Sequence, residues 1–219
     1  MKKLFFLIVL LLAATLCIAA TAETINPNTK AAAGSSSDAN LKSWPKHEVI
    51  MGEAFIGRFT KNQDVYSGPG VDYFRAANGK AEYGSPEDLE VYGKEGNWFL
   101  VCYWFNGSQR RMGYVLPNND TKLIKPRDWD IPVLSFAYAN AVIDKDCVLT
   151  DDPFRSMRMV SSLDKDTKIT YLATLPEGHS DIDRNWAYIE VETEVMINQQ
   201  KRTVLTRGFV PMDCVLFEH

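Results

Sequence analysis

Little in this chain speaks for catalysis. Three histidines occur in 219 residues, and His47, His179 and His219 fall before the first β run, in a loop and at the terminus. The four cysteines form no Cys-x-x-Cys. There is no His-x-x-x-His and no acidic loop with calcium spacing, so no metal or other cofactor is expected. Asp151-Asp152 and the pair Asp181 and Asp183 read as solvated loop charges. A thiol peptidase needs a positioned Cys-His pair and a cleft, and Cys102 lies in a predicted strand of a unit too small to hold one. Positive charge is also short: Lys and Arg number 24 against 28 Asp and Glu, which argues against a nucleic-acid partner. A persuasive helical period is missing beyond residue 22, and one apolar run stands alone.

That run belongs to the N-terminus. Met1-Lys2-Lys3 is a charged start, Leu4 to Leu12 is apolar throughout, and Ala20-Thr21-Ala22 is a small-x-small cleavage site. The layout of residues 1–22 is that of a secretory signal peptide rather than an anchor. Acylation at Cys17 is the competing reading, and Leu16 before it is a poor fit. With no second stretch long enough to span a bilayer, the expected product is an exported, soluble protein, secreted, periplasmic or at the cell envelope. Its formal charge would fall from −4 to −6, because the leader takes away Lys2 and Lys3 and no acid. Cys102, Cys147 and Cys214 would remain. An odd number in an exported chain allows one internal disulfide at most; Cys147 with Cys214 is the candidate pair, against three buried thiols as the favoured alternative.

What the chain does have is a pattern that occurs twice. Gly96-Asn97-Trp98-Phe99-Leu100-Val101 is followed by Arg111-Met112-Gly113-Tyr114-Val115. Later, Arg184-Asn185-Trp186-Ala187-Tyr188-Ile189 is followed by Arg207-Gly208-Phe209-Val210-Pro211. In each copy a tryptophan opens an apolar strand and a Gly-aromatic-Val strand returns. Internal repetition of this kind sets the architecture before any single residue does.

The surrounding texture is short β runs between turn signals. Residues 23–52 are rich in Ala, Ser, Thr and Asn, bury too little apolar surface to order, and read as a flexible tether. Residues 53–125 hold the first copy, with Ser67-Gly68-Pro69-Gly70 forcing a turn and Asn106-Gly107 marking a hairpin. A proline-marked connection over 126–140 leads to the second copy at 141–219.

At these residues the chain resembles tandem bacterial SH3-like domains. The first copy carries Tyr66-Ser67-Gly68-Pro69-Gly70, then Gly79-Lys80-Ala81, Gly96-Asn97-Trp98 and Gly113-Tyr114-Val115. The second matches at Asn185-Trp186 and Gly208-Phe209-Val210-Pro211, and departs at Asp151-Asp152, where the first has Gly68 and Gly70. The resemblance implies an all-β protein of two small SH3-like β-barrels in tandem. It also implies recognition of a cell-wall peptide or glycan, with docking on an envelope protein as the alternative. Fold alone does not establish function. In such barrels the first aromatic of the Trp98 strand faces an open groove, so Tyr66, Tyr73, Trp98 and Tyr114 are the candidate ligand-binding residues. The competing reading has Trp98 and Tyr114 packing the barrel or the interface between copies. Leu149 is expected to stand where Tyr66 does, which would leave the second copy without the groove.

Overall fold

The repeated Gly-aromatic-Val segment has a steric cause. A Cβ on Gly113 would meet Val65 Cγ1 at 2.5 Å and the Tyr66 carbonyl oxygen at 3.0 Å, and one on Gly208 would meet the Thr150 carbonyl oxygen at 2.8 Å and Leu149 Cδ1 at 2.9 Å. Each glycine lets a returning strand press against the first loop of its own copy.

The computed structural model describes residues 54–84, 88–105, 109–128, 130–154, 159–175 and 184–218. The leader at 1–22, the tether at 23–52, the Asn106-Gly107 turn and the three histidines lie outside the described residues. The first copy contains β1 (Phe55–Phe59), β2 (Gln63–Asp64), one helical turn at Ala76–Gly79, β3 (Glu82–Tyr83), β4 (Asp88–Glu95), β5 (Trp98–Phe105), β6 (Gln109–Val115) and β7 (Leu123–Ile124). The second contains β8 (Ala139–Ile143), β9 (Cys147–Thr150), β10 (Met159–Leu163), β11 (Lys168–Leu175), β12 (Trp186–Ile197), β13 (Gln200–Pro211), a 3₁₀ turn at Met212–Cys214 and β14 (Val215–Phe217). The protein is all-β, and among the described residues no helix is long and apolar enough to cross a membrane.

Strand order repeats with the sequence. The first sheet runs β6-β5-β4-β1-β7, and the second runs β10-β9-β13-β12-β11-β8-β14. In both, the last strand of the copy pairs with its first, and a meander of three strands follows. Even the irregularities coincide: the β4–β5 register slips between Val91 and Gly93, and the β11–β12 register slips between Tyr171 and Ala173. Among the described residues neither ladder closes on itself, and β2 with β3 forms a separate two-stranded piece. The expected closed barrels are therefore open sheets in their hydrogen bonding. The short strands β2 and β3 leave the first loop tied to β6 by little more than the Tyr66–Tyr114 bridge.

Side-chain alternation explains how the sheets stack. On β5, Val101 and Tyr103 face a core with Phe59, Val65 and Leu89, while Leu100 and Cys102 face the opposite way. On β12, Ala187, Ile189 and Val191 face a core with Ile143, Leu149 and Tyr171, while Trp186 and Tyr188 face away from it. The two outward sets meet in one shared core: Leu100, Cys102, Met112 and Tyr114 from the first copy, with Leu172, Leu175, Trp186, Tyr188 and Phe209 from the second. Each copy thus has a small interior of its own, and a third, aromatic-rich core joins them. The described residues of both copies belong to one compact unit.

Contacts along the strand edges are reciprocal. Met112 N–H donates to the Asp151 carbonyl at 3.1 Å, and Arg207 N–H donates to Ser67 Oγ at 3.3 Å. Met112 and Arg207 each precede the repeated glycine. Ser67 and Asp151 each follow the residue that bridges to the aromatic, Tyr66 to Tyr114 and Thr150 to Phe209. Equivalent positions exchanging contacts in both directions is the pattern of a two-fold interface between like subunits, here within one chain. The connection between copies is also docked: Lys94 N–H donates to the Pro132 carbonyl at 2.8 Å, and Leu134 N–H to the Lys94 carbonyl at 2.8 Å.

Candidate functional site

The four aromatics predicted to share a groove separate into two pairs. Tyr66 and Trp98 remain together, their rings edge to face with centroids 5.5 Å apart. Both are half-buried. They wall an open groove of about 340 Å³, lined also by Gln63, Asp64, Val71, Leu116 and Asn118. Tyr66 is held by its backbone, which exchanges hydrogen bonds of 2.9 and 2.7 Å with Tyr114. Trp98 begins β5 opposite Glu95.

The groove is lined by aromatic rings, exposed apolar side chains and neutral hydrogen-bonding groups. Val71 is 68% exposed and Leu116 41%. The Asp64 carboxylate is already paired with Arg75 at 2.6 Å, and the Arg75 guanidinium also lies 5.5 Å from the Tyr66 ring centroid. Gln63 Nε2 is committed to the Asn62 carbonyl at 3.0 Å, and Asn118 Oδ1 accepts from Asp120 N–H at 2.8 Å. A ligand here would meet ring edges and apolar rim more than free charge, which suits stacking on a neutral, extended chain.

Tyr73 and Tyr114 belong to the interface instead. Tyr114 is fully buried, so its ring offers nothing to a ligand. The cause is its parity on β6, which turns it into the shared core with Met112. Tyr73 bridges to Leu205 on β13, and its hydroxyl donates to Glu190 Oε2 at 2.6 Å. Its ring lies under the Ser67-Gly68-Pro69-Gly70 turn, where a Cβ on Gly68 would come within 2.1 Å of the ring. The turn glycine serves to seat Tyr73 against the other copy.

Both tyrosines converge on Arg207, which sequence reasoning missed. Its guanidinium donates to Glu190 Oε2 at 2.7 Å, to Glu95 Oε2 at 2.7 Å and to Tyr114 Oη at 3.1 Å. It lies 5.4 to 5.6 Å from the ring centroids of Tyr73, Tyr114 and Phe136. The Arg207 side chain is 2% exposed, against 23% for Glu95 and 18% for Glu190. Burial acts to raise the Glu95 carboxyl, but hydrogen bonds from Arg207 and Tyr138 outweigh it and hold the group below its ordinary value. Burial and the bond to Glu190 push the Tyr73 hydroxyl up. A signal was present: Arg207 lies two residues before Phe209, so both must point to the same face of β13.

The second copy holds a cavity at the equivalent place, about 290 Å³, lined by Lys145, Asp146, Cys147, Thr150, Arg184, Trp186, Asp213 and Cys214 among others. The pairing puts Thr150, not the expected Leu149, opposite Phe209 and hence in the place of Tyr66. Leu149 takes the place of Val65, inside the copy's own core. Trp186, the counterpart of Trp98, is buried, and among the described residues its indole Nε1 has no hydrogen-bond partner. The described residues present no exposed aromatic face there. The remaining thiol, Cys102, is buried in the shared core, and that burial pushes it up to about 12.

Comparison with known proteins gives no family. No protein-family profile and no curated protein matches the chain. Among solved structures it is similar to NlpC2 from Trichomonas vaginalis, with 11% identity, a TM-score of 0.25, and coverage of 76% of this chain and 49% of that one. It is also similar to NlpC1 from Trichomonas vaginalis, with 10% identity, a TM-score of 0.24, and coverage of 78% and 48%. The chain therefore spans about half the length of each. At these scores the likeness carries no argument about site or activity.

Proposed function

We propose that this chain is an exported, non-catalytic binding protein of the cell envelope, built from two SH3-like units. The first unit takes an extended cell-wall peptide or glycan in the groove between Tyr66 and Trp98. The observation that carries this reading is the groove itself: an open cavity of about 340 Å³ with two half-buried aromatic rings in its wall. The strand order shared by both copies supports the SH3-like assignment, and the leader-like residues 1–22 support export. Tyr73 and Tyr114 leave the ligand set.

Co-sedimentation with purified peptidoglycan sacculi tests the reading. An aromatic contact adds about 1 kcal/mol beyond its buried area, so Trp98→Ala should weaken retention roughly five- to tenfold. Trp186→Ala should act on stability, by about 3–5 kcal/mol for a buried large aromatic, and leave retention by the folded fraction unchanged. Absence of retention of the unaltered protein, or equal effects of the two substitutions on binding, would overturn it. The exposed Val71 and Leu116 on the rim favour a second reading, docking on an envelope protein. Retention by an envelope-protein fraction but not by sacculi would select it.

A further inference from the structure

The second copy places two thiols where the first has none. Cys147 opens β9 and Cys214 closes the 3₁₀ turn at Met212–Cys214, so the two are distant in sequence. The backbone around them is pinned from three directions. Ile143 pairs with Val215 across β8 and β14. Asp144 N–H donates to the Cys214 carbonyl at 2.8 Å, and Lys145 Nζ bonds Asp213 Oδ2 at 2.7 Å. Both cysteines border the same cavity of about 290 Å³, each thiol shifts the other's proton affinity, and Cys214 Sγ donates to Asp213 Oδ1 at 3.8 Å. Cys214 is buried, while Cys147 is half-exposed. Both are free thiols here, as is Cys102.

We infer that Cys147 and Cys214 form a latent disulfide site, closed by exchange with an external disulfide and bridging the start of β9 to the turn before the C-terminal strand. Two cysteines on neighbouring segments that are pinned together and line one cavity are placed where a disulfide of ordinary geometry could join them. The more exposed sulfur sets the order of steps. Cys147 loses its proton to solvent, and its thiolate attacks one sulfur of a small disulfide such as oxidised glutathione, expelling one thiolate. The Cys214 thiolate then attacks the Cys147 sulfur of the mixed disulfide and expels the second. The protein dithiol gives up two electrons and two protons, and the external disulfide is reduced to two thiols. Burial pushes the Cys147 thiol up to about 12 and the Cys214 thiol upward as well, so closure should be slow at neutral pH and faster in alkali. Cys102, in the shared core, is left out.

The test uses the full chain, with no dependence on the groove reading. The protein is held folded in oxidised glutathione or in dithiothreitol, alkylated, digested without reduction and mapped by mass spectrometry. The oxidised sample should yield a linked pair of peptides carrying Cys147 and Cys214, with Cys102 alkylated. Closing a long loop should raise the melting temperature by about 5–10 °C over the reduced protein. Cys147→Ser and Cys214→Ser should each abolish the rise, and Cys102→Ser should preserve it. The inference is overturned if both cysteines stay alkylated after oxidation, if Cys102 or a second chain supplies the partner, or if the melting temperature does not respond to the oxidant.

Discussion

Replacing Arg207 by methionine tests what joins the two copies. The substitution keeps a long flexible side chain among the rings of Tyr73, Tyr114 and Phe136 and deletes the charge. Glu95 and Glu190 would then face each other without their cation. Removing one member of a buried ion pair costs about 3–5 kcal/mol. The lower end applies here, because both carboxylates keep some access to water and retain hydroxyl donors from Tyr73, Tyr114 and Tyr138. About 3 kcal/mol corresponds to a drop in melting temperature of about 6–12 °C for a chain of this size. Urea unfolding followed by tryptophan fluorescence reads the change directly, since Trp186 lies in the shared core. A combined variant, Arg207→Met with Glu95→Gln and Glu190→Gln, should recover more than half of the loss, because uncharged amides no longer repel or demand a counter-charge. If Arg207→Met costs less than about 1 kcal/mol, or the combined variant is no better than the single one, the ion network is not what holds the copies together.

Two further outcomes follow from the same geometry. Glu95 is held below its ordinary value in the folded protein, so its contribution is complete above about pH 4.5 and is lost as pH falls through the folded value. The stability gap between the unaltered protein and Glu95→Gln should therefore shrink on acidification below that point, and a gap that stays constant down to pH 3 in urea titrations would refute it. Gly113→Ala must displace Val65 and the Tyr66 backbone, and overpacking of this kind costs about 1–3 kcal/mol. It should also loosen the groove wall, whereas Gly96→Ala, with open space around it but a positive φ of 59°, should cost stability without touching the groove.

Much of the local structure was legible beforehand. Alternating runs in the second copy become β12 and β13, joined by a two-residue hairpin at Asn198-Gln199 with φ of 50° and 64° and in unbroken register from Trp186–Pro211 to Ile197–Gln200. The second copy closes through a 3₁₀ turn at Met212–Cys214 into β14, which starts at Val215. The alignment of Tyr66 with Leu149 was off by one residue. Spacing along the chain could not show that Thr150 bridges to Phe209, and a shift of one residue exchanges the two faces of a strand.

Features local in the chain set the class of structure: period-two alternation, glycines at the turns, and two occurrences of the Trp and Gly-aromatic-Val segments lead to two like β units. Those features depend on contacts within a strand or across one hairpin, where the chain's own geometry restricts the choices. What covers each face was decided only in the folded molecule. Alternation says that Tyr114 and Met112 share a side of β6, and that Arg207 and Phe209 share a side of β13. It does not say that these two sides meet. Their meeting removes Tyr73 and Tyr114 from any ligand surface, buries an arginine between two carboxylates from different strands, and leaves Tyr66 and Trp98 half-buried in the groove wall, with Trp98 also packed against the edge of the shared core. Packing between residues far apart in sequence chose which aromatics became core and which remained available to bind.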